Sequence, residues 1–154
     1  MSTPAQSSFR ITNAPNIVYG KWDADRFETQ STDWVQVPGA EISLALGQGK
    51  PSYGARFVAT FSAEALCSDT NNDGQGLLQA TVFFGGEQGE PLSGNHRFVT
   101  ARGNPEWSNH TLIRTVQFDP DLAARDVTAR VKLKTQGASG GVQNWFLKVE
   151  RFNL

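Results

Sequence analysis

The sequence predicts an all-β fold: an antiparallel β-sandwich, arranged as a jelly roll, with an extended N-terminal arm. Two observations predict it. From Asp33 to the C-terminus, apolar and polar residues alternate with period two in run after run, which sends alternate side chains to opposite faces of a strand. Clusters of Gly, Pro, Asn, Asp and Ser interrupt these runs roughly every 8 to 15 residues, the rhythm of a sandwich or barrel. Composition agrees. Charged residues make up 19% of the chain, below the roughly 25% usual for globular domains, because half-buried strands favour Val, Phe and Thr over Glu and Lys. The 154 residues suffice for one two-layer core, divided into an arm over 1–32 and a β-sandwich over 33–154.

Within the arm, Phe9, Ile11, Ile17, Val18, Tyr19, Trp22 and Phe27 follow no regular period between polar stretches, which predicts an extended segment with at most one short strand. "DWVQV" then reads as a strand closed by Pro38-Gly39. "EISLAL" places Ile42, Leu44 and Leu46 on one face. "ARFVATFSAEAL" alternates Phe57, Ala59, Phe61 and Ala63 against Val58, Thr60, Ser62 and Glu64, and "LLQATVFF" after the next loop reads as its antiparallel neighbour. "HRFVTA" and "HTLIRTVQF" follow. Asp119 to Asp126, with Pro120 and its acids, suits a turn or two of helix. In "VTARVKLKT" Val127, Ala129, Val131 and Leu133 face in while Lys132 and Lys134 face out. The last strand, "VQNWFLKVERF", sends Trp145, Leu147 and Val149 one way and Phe146, Lys148 and Glu150 the other.

Charge and cysteine content exclude several classes. A net charge of -1 with scattered Lys and Arg lacks the basic footprint of phosphate-backbone binding, so nucleic acid is not an expected partner. One cysteine, Cys67, rules out an internal disulfide framework and a thiolate zinc site. No signal peptide is visible, and no apolar run is long enough to span a membrane as a helix, so a soluble protein of unassigned compartment is expected.

The series "DWVQVPGAEISLAL", "ARFVATFSAEALC", "LLQATVFFGGEQGEPL", "EWSNHTLIRTVQF", "VTARVKLKT" and "NWFLKVERF" resembles uncharacterised bacterial jelly-roll domains that are broadly similar to the TNF/C1q-like group. The likeness covers about residues 33 to 152. Its motifs are core and turn residues, so the resemblance implies a fold and a homotrimer. It transfers no catalytic or binding residue, and the acidic, Asn-rich loop after Cys67 departs from it.

Four sets of residues carry possible chemistry. Asp69, Asn71 and Asp73, in a D-x-N-x-D-G run, put oxygen-bearing side chains on alternate residues as a calcium loop does. Position 12 of an EF-hand falls on Ala80, so that motif fails. The choice is between a hairpin-loop calcium site and an ordinary turn. His96 and His110 open strands, and a metal site would need Glu106 or Asp119 beside them. Trp34 and Trp145 lie within alternating strands and are expected in the core. Trp22, Tyr53 and Trp107 lie in irregular segments, where a flat ring either folds onto the core edge or serves as a ligand or interface contact. No G-x-S-x-G elbow or marked carboxylate pair is present.

These residues leave two function classes. The first is a non-enzymatic structural or assembly module, a homo-oligomer of the surface or virion-decoration type, with itself as partner. The second is a carbohydrate-binding module or lectin using loop aromatics, with calcium as an optional cofactor. Enzymatic activity ranks third.

Overall fold

The computed structural model describes residues 9–10, 14–44, 54–102, 106–119 and 127–154. They form ten strands, with no helix among the described residues. The first sheet contains β1 (Ile17–Asp23), β2 (Phe27–Thr29), β4 (Ala55–Asp69), β8 (Ser108–Phe118) and β10 (Ala138–Asn153), in the order β1-β10-β4-β8 with β2 also on β10. The second contains β3 (Val35–Leu44), β5 (Leu77–Phe84), β6 (Glu87–Gln88), β7 (Arg97–Thr100) and β9 (Val127–Gln136), in the order β3-β9-β5-β6 with β7 also on β5. Every pairing is antiparallel. The long strands β3, β4 and β5 alternate between sheets, and β8, β9 and β10 do so again, giving the two-sheet jelly-roll weave.

Period-two alternation fills the space between the sheets. Phe57, Ala59 and Phe61 of β4, Val131 and Leu133 of β9, and Leu147 and Val149 of β10 are fully buried, and each set is one face of its strand. Phe61 joins the two layers, its ring 6.2 Å from Trp145 in the first sheet and 6.0 Å from Phe98 in the second. Cys67 is buried at the end of this row, and burial pushes its thiol pKa up to about 11.

Four local expectations change. β4 and β5 do not pair: the chain crosses from one sheet to the other between them, and each finds its partners elsewhere. Alternation defines the faces of a strand but carries no information about its neighbour. Pro38-Gly39 does not close a strand; it lies inside β3, where Val37 to Ala40 stand opposite Val131 alone and Gly39 adopts φ of 77°. A proline that cannot donate to the ladder is accommodated at such an irregularity.

The 1–32 segment supplies two strands where at most one was expected. β1 pairs with β10 from Ile17↔Arg151 to Asp23↔Trp145, and β2 pairs at Gly140 to Val142. The second pairing depends on Gly141, because a Cβ there would lie 2.5 Å from the Phe27 carbonyl oxygen. Trp34, finally, is outside the core. It precedes β3 on the same side as Gln36, half-buried against Phe83 and His96, with the Lys134 ammonium 4.6 Å over its ring. Alternation within "DWVQV" itself pairs Trp34 with Gln36 and sets Val35 with Val37. The expected helical turn and Leu46 lie outside the described residues, apart from Asp119, which is not helical.

Candidate functional site

The outer face of the first sheet carries half of the exposed large apolar side chains among the described residues. Registers place its residues in rows across β1, β10, β4 and β8: Trp22, Phe146, Ser62 and Thr111 in one; Gly20, Lys148, Thr60 and Ile113 in the next; Val18, Glu150, Val58 and Thr115 in the third. Val18 is 57% exposed, Ile113 56%, Trp22 72% and Phe146 43%. Phe9 adds an exposed ring beside the last rows, with the Arg56 guanidinium 4.1 Å from its centroid. The rings of Trp22 and Phe146 are parallel, 6.0 Å apart. Phe146 leans toward Gly20, where a Cβ would sit 3.4 Å from its Cζ, so the missing side chain on β1 provides the space the ring occupies.

Beyond Trp22 and Phe146 the same face becomes polar. Gln143 and Glu64 face each other across β10 and β4. An irregularity between Gln143 and Phe146 holds Asn144 at φ of 48°, a left-handed conformation that asparagine tolerates better than most residues. Glu64 Oε2 accepts hydrogen bonds from Asn144 Nδ2 at 2.7 Å and Gln143 Nε2 at 3.2 Å. Gln143 Oε1 in turn accepts one from Arg26 Nε at 3.2 Å, and the Arg26 guanidinium lies 4.9 Å from the centre of the Trp107 ring. Two of the three aromatics singled out in the sequence, Trp22 and Trp107, thus bracket one row of polar groups. Tyr53 lies outside the described residues. Nothing in the sequence marks Arg26, Glu64, Gln143 or Asn144 individually; the "QN" before Trp145, breaking an otherwise regular strand pattern, is the one signal.

The Asp69–Gly74 loop uses its own oxygens in a turn. Asp69 Oδ1 accepts from Asn71 N at 3.0 Å, Asp69 Oδ2 accepts from Gly74 N, and Asp73 Oδ1 accepts from Gln75 N at 2.9 Å. The backbone N–H of Asn71, ahead of that of Gly74, holds the Asp69 carboxyl below its usual range. The Asn71 side chain lies over Gly137. Among the described residues no group of three or more His, Cys, Asp and Glu is placed to hold a metal ion.

The two histidines have separate surroundings. His110 Nε2 is 2.7 Å from Ser108 Oγ, and its ring lies 5.6 Å from that of Phe98. His96 is buried against the second sheet: Arg114 Nη2 is 3.0 Å from its Nδ1, Gln88 Nε2 is 2.9 Å from its Nε2, and its backbone N–H donates to Gln79 Oε1 at 3.1 Å. Arg114 can only donate, so Nδ1 accepts; the neutral ring then carries its proton on Nε2, which requires the Gln88 amide to turn its oxygen to that nitrogen. Burial first, then the positive charges of Arg114 and Lys134, lower the His96 pKa below its ordinary 6.5. The sign follows. Below that value the unfolded chain binds a proton that the folded chain resists, so this contribution to stability is complete above it and is lost as pH falls toward the folded-state pKa. Thermal melts from about pH 7 to about pH 5 are expected to show a falling midpoint, with a shallower fall in His96→Gln; identical slopes would contradict the assignment.

No protein-family model and no curated protein matches the chain. Solved structures do. The structure of infectious bursal virus derived T=1 particles has a TM-score of 0.50 at 11% identity, over 97% of this chain and 35% of that one. The present chain therefore spans about a third of the length of that viral protein. The CBM36-1 domain of a multidomain xylanase from the hindgut metagenome of Trinervitermes trinervoides aligns at 9% identity and TM-score 0.38, over 86% of this chain and 96% of that domain. Eiger TNF from S. frugiperda aligns at 6% identity and TM-score 0.34, over 90% and 93%. The first of these likenesses shows the β-sandwich fold and nothing finer.

Proposed function

We propose that the chain is a non-enzymatic assembly module of the surface or virion-decoration type. It associates with further copies of itself through the outer face of the first sheet at the rows of Val18 and Ile113. The carrying observation is the exposure of Val18 and Ile113 on strand faces where alternation calls for polar residues. Phe9, against the partly buried Arg56, extends that surface. Three copies follow from the TNF/C1q-like resemblance, and the viral protein that shares the fold is one whose structure is that of T=1 particles. Light scattering or sedimentation is expected to give three times the 16.8 kDa of one chain. Val18→Asp combined with Ile113→Asp is expected to return the mass to a single chain, since two buried unpaired carboxylates are not tolerated in an interface. A wild-type mass of 16.8 kDa at every concentration would end this reading. A second reading, carbohydrate binding, is favoured by the polar row between Trp22 and Trp107, at the other end of the same face.

A further inference from the structure

The geometry points to a binding site for a neutral saccharide at that end of the face, built by Trp22 and Phe146 on one side and by the chain Arg26, Gln143, Glu64 and Asn144 on the other. The inference rests on the carbohydrate reading and gives it a location and a ligand class.

Three features support it. The first is the juxtaposition of ring surface with hydrogen-bonding groups. A pyranose presents C–H-rich patches beside hydroxyls that both donate and accept, so its site needs an apolar ring next to fixed polar groups of both kinds. Trp22, 72% exposed, and Phe146 supply the ring surface. Gln143 is the next residue of β10 on the same face, and Glu64 follows Ser62 on β4 in the same way.

The second is that the polar row is fixed before any ligand arrives. Arg26 holds Gln143, Gln143 and Asn144 hold Glu64, and the left-handed backbone at Asn144 aims its amide at that carboxylate. An irregularity of this kind re-aims a side chain at the cost of ladder hydrogen bonding, and such features gather at binding sites. Capacity is left over: Glu64 Oε1 and both terminal nitrogens of Arg26 have no hydrogen-bond partner among the described residues. A carboxylate oxygen and guanidinium N–H groups together can satisfy adjacent hydroxyls of one sugar.

The third is charge. Arg26 and Glu64 bring one charge of each sign to the row, and Lys148 with Glu150, 3.7 Å apart, brings another such pair nearby. An anionic glycan gains little here, which selects an uncharged one.

The test is an array of neutral and anionic oligosaccharides, probed with the full chain with and without calcium, followed by calorimetry with the tightest neutral binder. Binding of neutral oligosaccharides is expected. Trp22→Ala and Asn144→Gly are each expected to weaken it about tenfold or more. Glycine keeps the left-handed backbone at 144 while removing the amide, and Trp22 is outside the core, so both variants should keep the wild-type melting midpoint. Val18→Asp with Ile113→Asp should leave saccharide affinity unchanged. A blank array removes the carbohydrate reading altogether. Binding that survives both Trp22→Ala and Asn144→Gly leaves that reading standing and overturns this site, as does a preference for anionic glycans.

Discussion

Phe61→Ala is expected to lower the unfolding free energy by about 3–5 kcal/mol. Phe61 is fully buried on β4, opposite Leu147 of β10 and Leu112 of β8, and its ring reaches Phe98 in the second sheet. Truncation loses the transfer free energy of the ring and leaves a cavity bounded on one side by Trp145, whose own position is set by the irregularity at Asn144. At Phe61 β4 is paired on both sides, with β10 and with β8, so its backbone cannot move in to close that gap, and the loss should fall at the upper end of the range. Urea titration measures it directly. A change under about 1 kcal/mol would mean that the ring does not join the two layers as described.

The second large effect is at Gly54. This glycine precedes β4 at φ of 103°, and a Cβ there would lie 2.2 Å from the Phe118 carbonyl oxygen, a backbone atom at the end of β8. Its own carbonyl accepts the Leu154 N–H at 3.0 Å, so three chain segments meet at this point. Gly54→Ala combines a backbone conformation that L-residues avoid with a collision that no rotamer relieves. The expected loss is roughly 2–6 kcal/mol. A variant melting within a degree or two of wild type would show that Phe118 and Gly54 are not held this closely.

The two effects differ in how far the sequence announces them. Phe61 was readable: period-two alternation through "ARFVATFSAEAL" assigns it to the inner face, as it assigns Val131 and Leu133 in "VTARVKLKT", and all three are fully buried. Gly54 was not, because its partner is the main chain of a residue 64 positions away, and no local pattern encodes that approach. The same distinction explains why β4 and β5 do not pair with each other. Their faces follow from alternation, whereas their neighbours follow from which apolar surface covers which, and that is a property of the whole fold. Trp34 is a different case. Hydrophobicity suggests core, but parity with Gln36 places it outside, and parity decides.

The functional residues divide likewise. Trp22 and Trp107 could be singled out because large rings in irregular, polar sequence are uncommon. The row between them was hidden, since Arg26, Glu64, Gln143 and Asn144 come from three chain segments and meet only through the registers of β10 with β4 and the turn after β1. His96 was visible as a residue but not as a buried one. Its burial comes from the strands β5 to β7 and from Arg114, which reaches across from β8 to Thr81 Oγ1 at 3.2 Å.

The central claim is that the outer face of the first sheet is the surface through which copies meet. Carbene footprinting of the native chain across a dilution series tests it most directly. The account predicts that labelling of Val18 and Ile113 is suppressed at high concentration and rises on dilution, while buried Val131 stays unlabelled throughout. Full labelling of Val18 and Ile113 at every concentration would contradict it.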